Sequence, residues 1–138
     1  MNGPRHPTRS FAILGLLLLV ARTPATLAQQ PPPERRGVAS KALSVIDLGP
    51  EFPGMEGRVL RLRMNTLSPG GSTGMHGHKD KPSIVYVVQG PVTEHRDGTT
   101  RELDAGDVVS QGQDHTHALE NRGSAPVTLL EAEVIKKE

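Results

Sequence analysis

The stretch Gly70–Gly90, GGSTGMHGHKDKPSIVYVVQG, decides the fold class. Its second half, Ser83 to Gln89, is rich in Val and Ile and is closed by Gly90-Pro91, the composition of a strand bounded by a turn. In its first half two histidines stand at i and i+2. On a strand such side chains leave from the same face, so His76 and His78 can aim their imidazoles at one point. A helix would need a spacing of three or four. Gly70, Gly71 and Gly74 resemble a phosphate loop only superficially, because no helix and no Lys-Ser/Thr ending follow; they supply tight turns into the histidine strand.

The same strand character extends in both directions. Ala42 to Leu48 is a short apolar-rich run ending at Gly49-Pro50. Arg58 to Leu67 alternates, with Leu60, Leu62 and Met64 on one face and Arg61, Arg63 and Asn65 on the other; the apolar face is expected to be core. Val92 to His95 and Thr99 to Leu103 flank Asp97-Gly98, a strong hairpin pair. Val108-Val109, His115 to Leu119 and Val127 to Ile135 complete the set. No amphipathic helix and no clear repeat is found. Short strands between Gly, Pro, Asn and Asp turns predict an all-β sandwich or barrel.

A second His-x-His pair, His115-Thr116-His117, lies on one of these predicted strands. Two pairs in one small domain point to a metal held by nitrogen ligands at ~2.0–2.1 Å. The chain has no cysteine, so metal ligands must be His, carboxylate, amide or hydroxyl. Met64 continues the apolar face, Met75 alternates away from His76, and a copper site built on methionine is a poor reading. Tyr86 has parity opposite to Ser83 and is expected on the outer sheet face or at a dimer contact. Glu94-His95 beside the hairpin is expected to be solvated, and Asn121 to fix a turn.

The first residues belong to a different class. Arg5, His6 and Arg9 precede the apolar run Phe11 to Ala21 and a small-residue end at Ala25-Thr26-Leu27-Ala28, the layout of a secretory signal peptide over residues 1–28 with cleavage after Ala28. The run is too short to span a bilayer, which needs ~20 residues, so no stable membrane span is expected after cleavage. Residues 29–40 begin QQPPPERRG and read as an extended, solvated linker. Residues 41–138 are the folded domain. Residues 1–28 hold three of the sixteen basic residues and none of the fifteen acids, leaving thirteen against fifteen, a net charge of −2. A mildly acidic domain has no electrostatic footprint for nucleic acid. Its small size makes a homodimer plausible.

With these residues placed, the chain resembles the cupin superfamily, in its small single-domain form with one conserved barrel. Gly70-x5-His76-x-His78-x4-Ser83-x6-Gly90 has the spacing of the first cupin motif with one substitution. Gly106-x5-Gly112-x-Asp114-x2-His117-x3-Asn121 is similar to the second, with changes, and Pro91 to Ala105 form a short gap between them. The resemblance implies a single jelly-roll β-barrel and a divalent transition metal, iron, manganese, zinc, nickel or copper, held by His76, His78 and His117. The family's fourth ligand, a glutamate, falls on Ser83.

Three readings of Ser83 stand side by side. The site is a three-histidine centre with open positions, as in some cupin dioxygenases. Or His115, which shares the parity of His117, is a fourth ligand or a pocket acid/base, with Gln89 a weaker candidate of the same parity as Ser83. Or the metal is lost and a polar pocket for a small molecule remains. The corresponding functions are a metal-dependent oxygenase or isomerase on a small molecule, or a non-catalytic ligand- or metal-binding and sensing module, periplasmic or secreted. No catalytic residue is assigned.

Overall fold

In the computed structural model, residues 30–32 and 34–137 are described. The expected signal peptide lies outside them. Nine strands follow in order: β1 (Arg35–Asp47), β2 (Arg58–Thr73), β3 (His76–Gly77), β4 (Ser83–Gln89), β5 (Val92–Arg96), β6 (Thr99–Leu103), β7 (Val108–Gln111), β8 (Thr116–Glu120) and β9 (Val127–Lys136). No helix occurs among the described residues, and none is long and apolar enough to cross a membrane.

All strand pairs are antiparallel and form one curled sheet, ordered β6-β5-β8-β2-β9-β4-β7, with β1 added to β2 and β3 to β8. A closed barrel was expected, but the hydrogen-bonded path has ends at β6 and β7. The turn between them, with Gly106 at φ 100°, carries the chain from one wall to the other, so consecutive strands stand on opposite edges. The β5–β6 hairpin turns on Asp97 (φ 48°) and Gly98 (φ 78°), both in the left-handed region that a two-residue primed turn requires.

One end of the curl is filled by Leu67, Val85, Val87, Val92, Leu103, Val109, Leu119, Val127 and Leu129, all buried. Burying each such side chain contributes roughly 1.5–3 kcal/mol. Asn121, fully buried, closes this end: its amide nitrogen donates to the carbonyls of Leu67 (3.0 Å) and Ala125 (2.8 Å), and its oxygen accepts from the Gly123 N–H (2.9 Å).

On β2 the alternation is as expected, but the face is reversed. Val59, Asn65 and Leu67 are buried and Arg61 and Arg63 half-buried, while Leu60 is exposed. The reason is the register with β9, which sets Arg61 opposite Glu133 and Arg63 opposite Glu131. Arg61 Nε donates to Glu133 at 3.0 Å, and Arg63 donates to Glu131 at 2.8 Å and pairs with Glu133 at 3.0 Å. Two guanidinium groups and two carboxylates therefore neutralise one another inside the curl, where an unpaired charge would be costly. Leu60, Ile84, Tyr86, Val88 and Val108 lie outside and exposed, Tyr86 on the outer face as expected.

The expected linker, residues 29–40, differs as well. Arg35 already pairs with Thr73 in β1, Pro32 is buried, and Gln30 and Pro31 line a cavity of about 170 Å³ together with Met75, His95 and Thr100. Proline needs no ladder hydrogen bond of its own and offers an apolar ring, so this segment can cover the sheet face behind His95.

Candidate metal centre

Gly74 sets the entry to the site. It has φ 67°, and a Cβ there would sit 2.8 Å from the backbone of Glu34 and Arg35. The turn leads into β3, which pairs with β8 so that His76 stands directly opposite His117. His78 lies one residue past β3. The three rings sit 4.7–5.1 Å apart between centroids. One nitrogen from each lies within 4.8 Å of the others, a group that could hold a metal ion.

Hydrogen bonds orient two of the rings. Nδ1 of His76 lies 2.9 Å from the Gly74 carbonyl, and Nδ1 of His78 lies 3.1 Å from that of Lys81. A carbonyl only accepts, so both Nδ1 atoms carry the proton and both Nε2 atoms present a lone pair. Nε2 of His78 is 3.1 Å from Nε2 of His117, about the separation of two nitrogens that share a metal at ~2.0–2.1 Å. Burial lowers the pKa of His76 and pushes that of His78 down to about 4, so these rings are neutral at pH 7 and ready to ligate. The donor set fits a divalent transition metal.

Around the triad lies a ring of polar groups. Ser83 is buried with its hydroxyl 3.4 Å from His78 Nδ1. Gln111 Nε2 is 3.0 Å, and Glu94 Oε1 3.4 Å, from His117 Nδ1. Glu94 is fully buried and paired with Arg96 and Arg101 at 3.1 and 2.7 Å. A cavity of about 30 Å³ adjoins the cluster, lined by Arg63, Asn65, His76, His117 and Glu131 among others. Burial alone would raise the Glu131 pKa, but the Arg63 guanidinium and hydrogen bonds from Arg63, Ser83 and Asn65 outweigh it and hold the group below the usual carboxylate range.

The structure thus brings together His76, His78 and His117, with Ser83 beside them, and places two other candidates away from the cluster. His115 is not in the cluster. It precedes β8, where strand parity does not apply, and its Nδ1 donates to Asp97 at 2.8 Å with the side chain 44% exposed. Gln89 is exposed because an irregularity between Val87 and Gln89 shifts it off the alternation. Glu94 and His95, expected to be solvated, are both buried: Glu94 faces the inside of the curl beside His117, and His95 the opposite face, where Gln30 and Pro31 line the same cavity. Sequence reasoning missed Glu94, Gln111 and Glu131. The only signal for Glu131 was the parity of Glu131 and Glu133 against Arg61 and Arg63.

The cupin domain family matches residues 63–133, which hold both motifs and all three histidines. The chain belongs to the cupin family. No curated protein matches this cupin. Its fold is similar to that of a predicted oxalate decarboxylase from Thermotoga maritima, at 23% identity and TM-score 0.59 over 77% of this chain and 94% of the other. It is also similar to KdgF from Halomonas sp., at 20% identity and TM-score 0.57 over 74% and 81%. A sugar phosphate isomerase of the cupin superfamily from Silicibacter pomeroyi, at 23% identity and TM-score 0.51, matches over 56% and 59%. At these identities the likeness is one of fold.

Proposed function

We propose that this cupin binds one divalent transition metal through His76, His78 and His117 and uses it to bind and transform a small molecule outside the cytoplasm. The observation that carries the reading is the pair of fixed tautomers: His76 and His78 each give their Nδ1 proton to a backbone carbonyl and keep Nε2 free. A bound metal would supply Lewis acidity at coordination positions that three imidazoles leave open. The chain's own residues do the rest. The 30 Å³ cavity has room for one or two waters, so the group that enters beside the histidines is small. Asn65 and Arg63 fix the Glu131 carboxylate at the cavity wall, where it can accept a hydrogen bond from that group. The names of two similar structures, a predicted oxalate decarboxylase and a sugar phosphate isomerase, are in keeping with small-molecule chemistry of this kind.

In this reading the curled sheet is a jelly-roll barrel of the cupin kind. Export is supported by the leader pattern of residues 1–28, and a homodimer by the exposed apolar face around Tyr86. A non-catalytic metal-binding or sensing module is the second reading. It is favoured by the small cavity and by the mutual neutralisation of Arg61, Arg63, Glu131 and Glu133, which leaves little free acid or base beside the triad. Isothermal titration of the metal-free protein with each of the five metals, followed by a screen of small carboxylic acids and sugar phosphates against the loaded protein, separates the two. Turnover of any of these supports the first reading; metal binding without turnover or ligand binding supports the second.

A further inference from the structure

We infer that Glu94 is a positioning residue that selects the metal-ready tautomer of His117, while Gln111 holds the opposite tautomer in the absence of metal. This rests on the metal reading above. Two groups compete for His117 Nδ1. Gln111 offers its amide nitrogen at 3.0 Å, and its orientation is set from the far side, where Gln111 Oε1 accepts from Arg96 Nη2 at 3.1 Å. With Gln111 donating, Nδ1 is the acceptor and the His117 proton sits on Nε2. That proton then points to His78 Nε2 at 3.1 Å, an acceptor because His78 Nδ1 donates to Lys81. The chain of hydrogen bonds is complete without a metal.

A metal on His117 Nε2 requires that lone pair, so the imidazole proton must move to Nδ1. There it faces the Gln111 amide, donor against donor, and Glu94 Oε1 at 3.4 Å. Glu94 Oε1 is buried and has no hydrogen-bond partner; Arg96 Nε lies 3.1 Å away as an ion pair but is itself unpartnered, so its N–H is not aimed at this oxygen. The other oxygen of Glu94 is held by Arg101 at 2.7 Å. One oxygen is thus anchored, and the other is left for a proton that His117 carries only when its Nε2 is ligated. A buried acceptor without a donor is rare, and a carboxylate behind a ligating histidine is a recurring way to fix its tautomer.

The test reads zinc affinity together with His117 tautomers, by two-bond proton–nitrogen correlation on histidine-labelled protein. Metal-free protein should show His117 protonated on Nε2, and zinc-loaded protein on Nδ1. Glu94→Gln should weaken zinc binding roughly 10–100-fold. Glu102→Gln, at an exposed carboxylate of the same hairpin, should leave affinity unchanged. Adding Gln111→Glu to Glu94→Gln restores a carboxylate at Nδ1 and should recover affinity. Equal affinity in wild type and Glu94→Gln, no recovery in the double variant, or an Nε2 proton on His117 in the zinc form overturns this inference alone. Absence of zinc binding by the wild type overturns the metal reading with it.

Discussion

His76 and His117 are direct cross-strand partners on β3 and β8, with ring centroids 4.7 Å apart. This single register brings a histidine of the first motif onto one of the second. Everything proposed for the site depends on it, because His78, one residue past β3, meets His117 with its Nε2 3.1 Å away, and His117 is held from behind by Gln111.

Position 83 gives the first prediction. Ser83 is buried beside His78, and its strand neighbour on β9 is Glu133, with Glu131 hydrogen-bonded from Ser83. Ser83→Glu adds a third carboxylate to this wall. The metal-free variant should be less stable by about 2 kcal/mol, as expected for a buried like charge. Zinc should raise its melting temperature more than it raises that of the wild type, because the metal offsets the added charge. Thermal scans with and without zinc read both effects, and a smaller zinc-induced shift than in the wild type would refute the inward placement of residue 83.

The interior ion pairs give the second. Arg63→Ala leaves Glu131 without its guanidinium partner and should cost about 3–5 kcal/mol in urea unfolding. Arg63→Met combined with Glu131→Leu removes the pair together and should recover most of that loss. A loss below about 1 kcal/mol in Arg63→Ala would mean that the pair faces water.

How much of this was legible in the sequence depends on range. Eight of the nine strands follow from runs of β-branched residues between turn residues, and the period-two rule placed His76 and His78 on one face. The expected histidine strand, β3, has only two residues, leaves His78 beyond its end, and exists through its pairing with β8. Parity failed where the backbone was not regular: His115 precedes its strand, and Gln89 follows a bulge. On β2 the period was right and the side wrong. Local patterning puts Leu60, Leu62 and Met64 inside, but Glu131 and Glu133, remote in sequence, draw Arg61 and Arg63 inward through the register with β9.

Protonation gives the third prediction. His78 has an ordinary value near 6.5 when unfolded and about 4 when folded, lowered by burial. Because the folded value is depressed, the stabilisation is complete above about 6.5. It is lost as pH falls toward 4, where the unfolded chain takes up a proton that the folded one refuses. His78 alone contributes about 3 kcal/mol to this change, and His76, lowered in the same direction, adds to it. Urea titrations of metal-free protein from pH 7.5 to 4 should show the decline, and His78→Asn should flatten much of it. A stability independent of pH across this window would contradict the buried, neutral ring.

The outer face gives the fourth. Tyr86 lies between Val108 and Leu130 on neighbouring strands, with Ile84 and Leu60 nearby, and none of these carries a charge. Sedimentation equilibrium should find a dimer, and Ile84→Glu with Tyr86→Glu should give a monomer that keeps its zinc affinity. A wild-type monomer at tens of micromolar would remove the second copy from the account.

The most direct test of the central claim is the metal content of the protein after zinc loading and dialysis, measured by elemental mass spectrometry for the wild type, His117→Ala and His115→Ala. The account predicts about one equivalent in the wild type and in His115→Ala, and less than about a tenth in His117→Ala. No retained metal in the wild type, or equal loss in the two variants, would contradict it.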